Sequence, residues 1–321
     1  MMVRKEITCL VASASLLALA ACNNGAASPP PFATGPGNFT ITAGGSMNME
    51  AMQALRFYPS TLTIDAGDTV TWKFPSGEPH TVTLLGPRPA LPPPNDPAAP
   101  VPAGGSTYDG SAYTSSGFQL LGKSYSVTFP TPGTYTFACL LHGGMTGTIV
   151  VQPAGAPYPA SNNAALAGAA AAQSADLALG TSALAQFPYP AGGKHLAAGM
   201  TPGLAMGMPS AVTILRFLDA PDVTATSVTV HAGDTVTWTN QSNNEPHTVT
   251  VAPAGAPFPT LNPFAPPSGG TVYDGSTLVN SGVLPPGASF ALKFTTLGTF
   301  TYHCIFHDDT ENMIGTVVVI P

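Results

Sequence analysis

The chain contains one long segment twice. Ala66-Gly67-Asp68-Thr69-Val70-Thr71-Trp72 returns as Ala232-Gly233-Asp234-Thr235-Val236-Thr237-Trp238, and Tyr108-Asp109-Gly110-Ser111 returns as Tyr273-Asp274-Gly275-Ser276. The repeating unit is about 110 residues, far longer than the ~20 to 50 of a solenoid repeat, so a whole domain has been duplicated. A length of 321 residues accommodates two such domains, each large enough to bury its own core. Inside each copy the apolar residues alternate: Leu62, Ile64, Val70 and Trp72 in the first, Val228, Val230, Val236 and Trp238 in the second. Period two in β-branched and aromatic residues, broken by Ala-Gly-Asp turns, specifies strands. The same signal recurs over 125–129, 134–137 and 148–151, and over 290–294, 300–302 and 316–320. Short strands at regular spacing predict an all-β fold, one Greek-key β-sandwich per half.

Composition agrees: 35 Pro and 34 Gly suit turns, and hydrophobic content is 44% with only 8% charged residues. After residue 21 no apolar run approaches the ~20 residues a membrane-spanning helix needs. The N-terminus follows a different rule. Arg4 and Lys5 precede an uncharged apolar run from Ile7 to Ala21, the pattern of an export signal. Leu19-Ala20-Ala21-Cys22 resembles the lipobox of bacterial lipoproteins, which implies that 1–21 are removed and Cys22 carries lipid. Residues 22–46 then read as a flexible tether, 47–152 as the first domain, 153–210 as an Ala/Gly/Pro-rich linker and 211–321 as the second domain. Within the linker, 163–186 is rich enough in Ala for a helix, but its polar face is thin, and the expectation is a semi-ordered join.

The chain has 9 basic and 16 acidic residues; without Arg4, Lys5 and Glu6, 7 and 15 remain, a formal charge of −8. That balance argues against a nucleic-acid partner. Of the four cysteines, Cys9 leaves with the signal and Cys22 takes lipid, so each half keeps one thiol, Cys139 or Cys304, and no disulfide is expected. Each thiol sits in a repeated pattern. Glu78-Pro79-His80 is followed by Cys139-Leu140-Leu141-His142 and Met145, and Glu245-Pro246-His247 by Cys304-Ile305-Phe306-His307 and Met313. Two imidazoles, one thiolate and a thioether are the donors of a blue-copper electron-transfer centre, whereas structural zinc prefers four strong Cys or His ligands.

On these residues both halves resemble the plastocyanin and amicyanin branch of the cupredoxin family, over about 53–152 and 211–321. The resemblance implies one copper per domain, cycling between Cu(I) and Cu(II). The ligands would be His80, Cys139, His142 and Met145 in the first domain, and His247, Cys304, His307 and Met313 in the second. Three extra residues separate His307 from Met313, although Asn312-Met313-Ile314-Gly315-Thr316 aligns with Gly144-Met145-Thr146-Gly147-Thr148. Thr81 and Thr248 stand where plastocyanins usually carry Asn, so the tie between the upstream histidine and the cysteine loop is expected to differ. Expected partners are redox proteins such as cytochromes or copper enzymes, together with a membrane through the lipid anchor, facing the periplasm or cell exterior.

Two other function classes compete. Seven histidines less four ligands leave His195, His231 and His303, too few for a trinuclear oxidase centre. His303 precedes Cys304 at the position of a type 2 copper ligand in nitrite reductases, but it is alone, and the reading is an electron carrier rather than an enzyme. Copper storage or delivery is the runner-up, because Met47, Met49, Met52 and Met200, Met206, Met208 form two thioether clusters suited to Cu(I), or else to flexible packing. Finally, Asp308-Asp309-Thr310-Glu311 beside His307 predicts an acidic docking face on the second domain that the first lacks.

Overall fold

The computed structural model describes residues 36–93, 96–187, 194–201, 211–219, 226–243 and 245–321. Each half forms a two-sheet β-sandwich of the expected cupredoxin type. In the first, strands Phe57–Tyr58, Asn38–Ala43, Thr69–Lys73 and Ser124–Thr128 make one sheet. Thr61–Asp65, Thr146–Gln152, Gly133–Ala138, Thr83–Leu84 and Thr114–Ser115 make the sheet that faces it. The second half repeats the plan with Val212–Leu218, His195–Met200, Thr235–Gln241 and Ser289–Phe294 against Thr226–His231, Ile314–Ile320, Gly298–His303, Thr250–Val251 and Val279–Asn280.

Alternation places the predicted core inside. Trp72 and Trp238 are fully buried, each edge-on to an aromatic ring of the facing sheet, Phe137 at 5.1 Å or Tyr302 at 5.0 Å. Phe57 and Phe217 complete the two clusters at 4.7 and 4.6 Å from the same rings. Buried rings of this size dominate the apolar area each sandwich removes from water. They are packing residues.

Two of the expected borders differ from the structure. Within the expected tether, Asn38–Ala43 is a strand paired in parallel with Thr69–Lys73, its Phe39 and Ile41 buried. Within the expected linker, His195–Met200 does the same against Thr235–Gln241, and Asn162–Gln186 is a 25-residue α-helix. Ser161 caps that helix by accepting from Ala164 N–H at 3.2 Å. It is no semi-ordered join, because it has something to cover: Ala169, Leu177, Ala183 and Leu184 are buried, and Asp176 takes a hydrogen bond from Tyr58 at 2.5 Å. Among the described residues no helix is long and apolar enough to cross a membrane.

What the helix covers is the seam between the halves. Met52–Ala54 of the first half pairs antiparallel with Val212–Leu218 of the second, so the second half's sheet continues into the first to give seven strands. Leu55-Arg56-Phe57 and Leu215-Arg216-Phe217 are equivalent in the repeat. Equivalent strands of the two halves therefore pair with each other, as in an isologous dimer interface. Met52, Ala54, Met200, Val212 and Ile214 form the buried cluster beneath the helix.

Candidate metal centres

In the first half His80 stands at an isolated bridge to Gln119, while Cys139, His142 and Met145 occupy the loop between Gly133–Ala138 and Thr146–Gln152. The ends of different strands thus supply the donors. His142 Nδ1 lies 3.4 Å and His80 Nδ1 3.9 Å from Cys139 Sγ, with the two nitrogens 3.0 Å apart. The second half matches: His307 Nδ1 and His247 Nδ1 lie 3.3 and 3.6 Å from Cys304 Sγ. All six residues are buried, as are Met145 and Met313.

The loops hold their methionines alike despite unequal length. Met145 N–H donates to His142 O at 3.0 Å, Met313 N–H to His307 O at 2.8 Å, and each methionine carbonyl accepts from its cysteine N–H. The three extra residues bulge outward between these fixed points, with Asn312 in the left-handed region at φ 55°. Threonine also makes the tie expected to differ. Leu140 N–H donates to Thr81 Oγ1 and Ile305 N–H to Thr248 Oγ1, both at 2.8 Å, while Thr81 and Thr248 N–H each point at the cysteine sulfur at 3.4 Å. Hydrogen bonds to sulfur stabilise thiolate over thiol.

A glycine backs each upstream histidine. A Cβ at Gly44 or Gly199 would overlap the ring of His80 or His247, and both glycines have positive φ, 73° and 65°. The sequence carries this signal as Ala43-Gly44 against Ala198-Gly199.

The downstream histidines of the two halves approach one another's domain. Both rings are turned into the interface between the halves, and His142 and His307 are only 1% and 4% exposed. Glu78 lies between them. Its Oε1 is 3.3 Å from His142 Nε2 and its Oε2 3.8 Å from His307 Nε2, while Glu245 Oε1 is 3.5 Å from His142 Nε2. Both carboxylates are buried; the sequence shows them in the repeated Glu-Pro-His, where neither is among the expected ligands. A pocket of about 730 Å³ opens above them, walled by Phe118, Leu141, Phe264 and Phe306.

Electrostatics differ between the centres. Burial pushes the Cys139 thiol up, but the charge and hydrogen bond of His142, with His80, outweigh it and hold the group well below the usual thiol range. His142 is raised well above an ordinary imidazole: burial opposes its charge, but Cys139, Glu245 and Glu78 together favour it. Burial pushes Cys304 up to about 12, only partly offset by Thr248. Burial likewise raises Glu245 to about 8, whereas Glu78 is lowered because the hydrogen bond of His142 and the charges of His307 and His142 outweigh its burial.

The remaining expected residues fall elsewhere. His303 lies flat on Phe258, ring centroids 3.6 Å apart, and its Nδ1 is 3.0 Å from Asp308 Oδ2. His195 is exposed on its strand, and His231 is an exposed neighbour of Asp234. The acidic loop is partly drawn inward: Asp308 is engaged with His303, and Glu311 is buried, its carbonyl accepting from Arg216 Nη1, while Asp309 is exposed. Arg216 also donates to Met49 O at 3.0 Å, which ties that loop to the first half. Met52 and Met200 are buried in the seam cluster with Met47 packed against it, and Met49 is exposed. Cys22, Met206 and Met208 lie outside the described residues.

The donor chemistry of thiolate, two imidazoles and a thioether fits copper. Comparisons agree. The family model described as copper binding proteins, plastocyanin/azurin family, matches residues 44–152 and 223–320. Plastocyanin of Scenedesmus fuscus is 37% identical over 101 residues, covering 31% of this chain and 89% of that protein. The chloroplastic plastocyanin of Physcomitrium patens is 34% identical over 147 residues, 44% of this chain and 67% of that protein. Among solved structures, a reduced amicyanin mutant aligns at 23% identity over 36% of this chain and 82% of that one, with a TM-score of 0.25. The chain belongs to the plastocyanin/azurin family of copper-binding proteins, with copper as its cofactor, one ion per cupredoxin domain.

Proposed function

We propose that the protein is an exported electron carrier with two blue copper centres, ligated by His80, Cys139, His142 and Met145 and by His247, Cys304, His307 and Met313. The observation that carries this reading is the convergence of one cysteine sulfur and two Nδ1 atoms in each half, on strand ends tied by Thr81 and Thr248. Bound copper supplies a one-electron Cu(II)/Cu(I) couple. The protein holds the donors in buried, hydrogen-bonded positions that need little rearrangement when charge changes. Redox partners, cytochromes or copper enzymes, dock over the aromatic-walled pocket, where the edges of both downstream imidazoles lie. Residues 1–21 act as the signal and lipidated Cys22 anchors the chain outside the cytoplasm. The first domain is drawn from Asn38 and the second from His195, earlier than the repeat alone suggests.

Copper stoichiometry with the absorption and paramagnetic resonance spectra tests the assignment. Two copper ions per chain, both intensely blue, are expected. A type 2 signal, or colourless Cu(I) in excess of two, would point to catalysis or to copper storage instead.

A further inference from the structure

We propose that the two halves hold a third metal ion between them, a hard divalent cation of the calcium or manganese class bound by Glu78 of the first half and Glu245 of the second. The two glutamates are equivalent in the repeat, each opening a Glu-Pro-His step. Pairing of the halves brings them together: an oxygen of each carboxylate and a nitrogen of His307 lie within 4.8 Å of one another. Both side chains are buried, at 4% and 3% exposure. Like charges that meet away from water repel, and each costs free energy unless something of opposite sign stands between them.

Their hydrogen bonds leave that need unmet. Glu78 Oε1 faces His142 Nε2 at 3.3 Å, but its Oε2 has no hydrogen-bond partner and stands 3.8 Å from His307 Nε2. Glu245 Oε1 has none either, and its distance to His142 Nε2 is 3.5 Å. Oxygens bound at ~2.3–2.6 Å to a calcium-class ion lie up to about 5 Å apart across it. Two carboxylates as close as these can therefore share one ion.

The donor set fixes the class of metal. His307 turns Nδ1 to the Cys304 sulfur at 3.3 Å, which leaves the carboxylates for this ion, and carboxylate with water suits magnesium, calcium and manganese rather than copper. Water and the ion reach the place through the pocket of about 730 Å³, whose lining includes both glutamates. The loops that carry them are held: Asn240 Nδ2 donates to Glu245 O, and Gly77 N–H to Glu50, both at 2.8 Å. An ion there joins the halves by charge, where the seam joins them by strand pairing.

The copper-loaded full chain, reduced and dialysed free of other ions, is titrated with Mn(II), and free Mn(II) is counted by paramagnetic resonance. One Mn(II) per chain is expected, displaced by Ca(II), with copper content unchanged. Cu(I) is diamagnetic, so bound Mn(II) should broaden the ring proton signals of His142 and His307 ahead of those of Trp72 and Trp238. The thermal midpoint should rise with Mn(II) concentration, as for any ligand of the folded state. Glu78→Gln and Glu245→Gln should each weaken binding on the order of tenfold and abolish most of that rise. The amide keeps the size of the carboxyl and removes the repulsion, so both variants should fold and turn blue on oxidation. Asp309→Asn, at an exposed acid, should leave Mn(II) affinity unchanged.

No bound Mn(II), an ion that displaces copper, or binding undiminished in both glutamine variants would overturn the proposal. Broadening that spares His142 and His307 would also do so, since it would mark an adventitious ion on the surface.

Discussion

Gln53 and Thr213 occupy equivalent places in the two copies and face each other in one antiparallel ladder, with Ala54 opposite Val212 and Met52 opposite Ile214. The duplication has thus kept a strand that pairs with its own copy, covering the Val212–Leu218 edge of the second half's sheet. The helix Asn162–Gln186 closes the seam, approaching closely because Gly180 has no side chain: a Cβ there would lie 2.7 Å from Val212 Cγ1 and 3.2 Å from Met52 Sδ.

The two halves are therefore expected to unfold together. Gly180→Val should lift the helix and cost about 1–3 kcal/mol, as overpacking does. Denaturant unfolding followed at one tryptophan per half, with Trp72 or Trp238 replaced by Phe in turn, checks this. Two separate transitions in the otherwise unsubstituted chain would mean that the seam does not couple the halves.

Gly199→Ala should damage one centre and spare the other. The new methyl group overlaps the His247 ring, and positive φ adds roughly 1 kcal/mol of strain. Copper bound per chain is expected to fall from two toward one, with the mirror effect for Gly44→Ala at His80. Unchanged stoichiometry and spectrum in both variants would show that the rings have room to move.

Such a position marks where sequence reading stops. The sandwiches were legible because strand alternation is local, and the donors because Cys, His and Met recur at matching places in both copies. The helix was legible only as an Ala-rich possibility and not as an ordered element, since Ala and Gly lie on every side of it and its buried face packs against Met52 and Val212 of the seam. Nor was the burial of His142 and His307 legible. It arises from the pairing of two domains, and nothing adjacent to either histidine in the chain announces it.

Thr81→Ala should leave the loop N–H of Leu140 buried without its 2.8 Å acceptor. An unsatisfied buried donor costs about 1–3 kcal/mol, and the loop carrying Cys139 and His142 should loosen. Ser restores the hydroxyl, so Thr81→Ser is expected to recover most of the loss. Thermal unfolding together with the width of the copper absorption band would measure both effects. Equal stability of the Ala and Ser variants would remove the hydroxyl from the account.

Glu311 gives the copper-free chain a pH dependence of definite sign. Burial first, then the charge of Glu78, raises its carboxyl to about 7, above the ordinary 4.5 it regains on unfolding. The unfolded chain therefore loses that proton at lower pH than the folded one. Stability from this group is complete below about pH 4.5 and is lost as pH rises through about 7. After allowance for its partial contact with solvent, the loss is roughly 2 kcal/mol. Glu311→Gln keeps the backbone carbonyl that accepts from Arg216 and removes the titration, so it should be the more stable chain at pH 8 and no more stable at pH 4. Glu245 titrates in the same direction near 8, and the charge of Glu311 contributes to that rise, so the difference between the two chains carries Glu311 together with its effect on Glu245. Parallel stability curves across that range would show that Glu311 ionises as freely folded as unfolded.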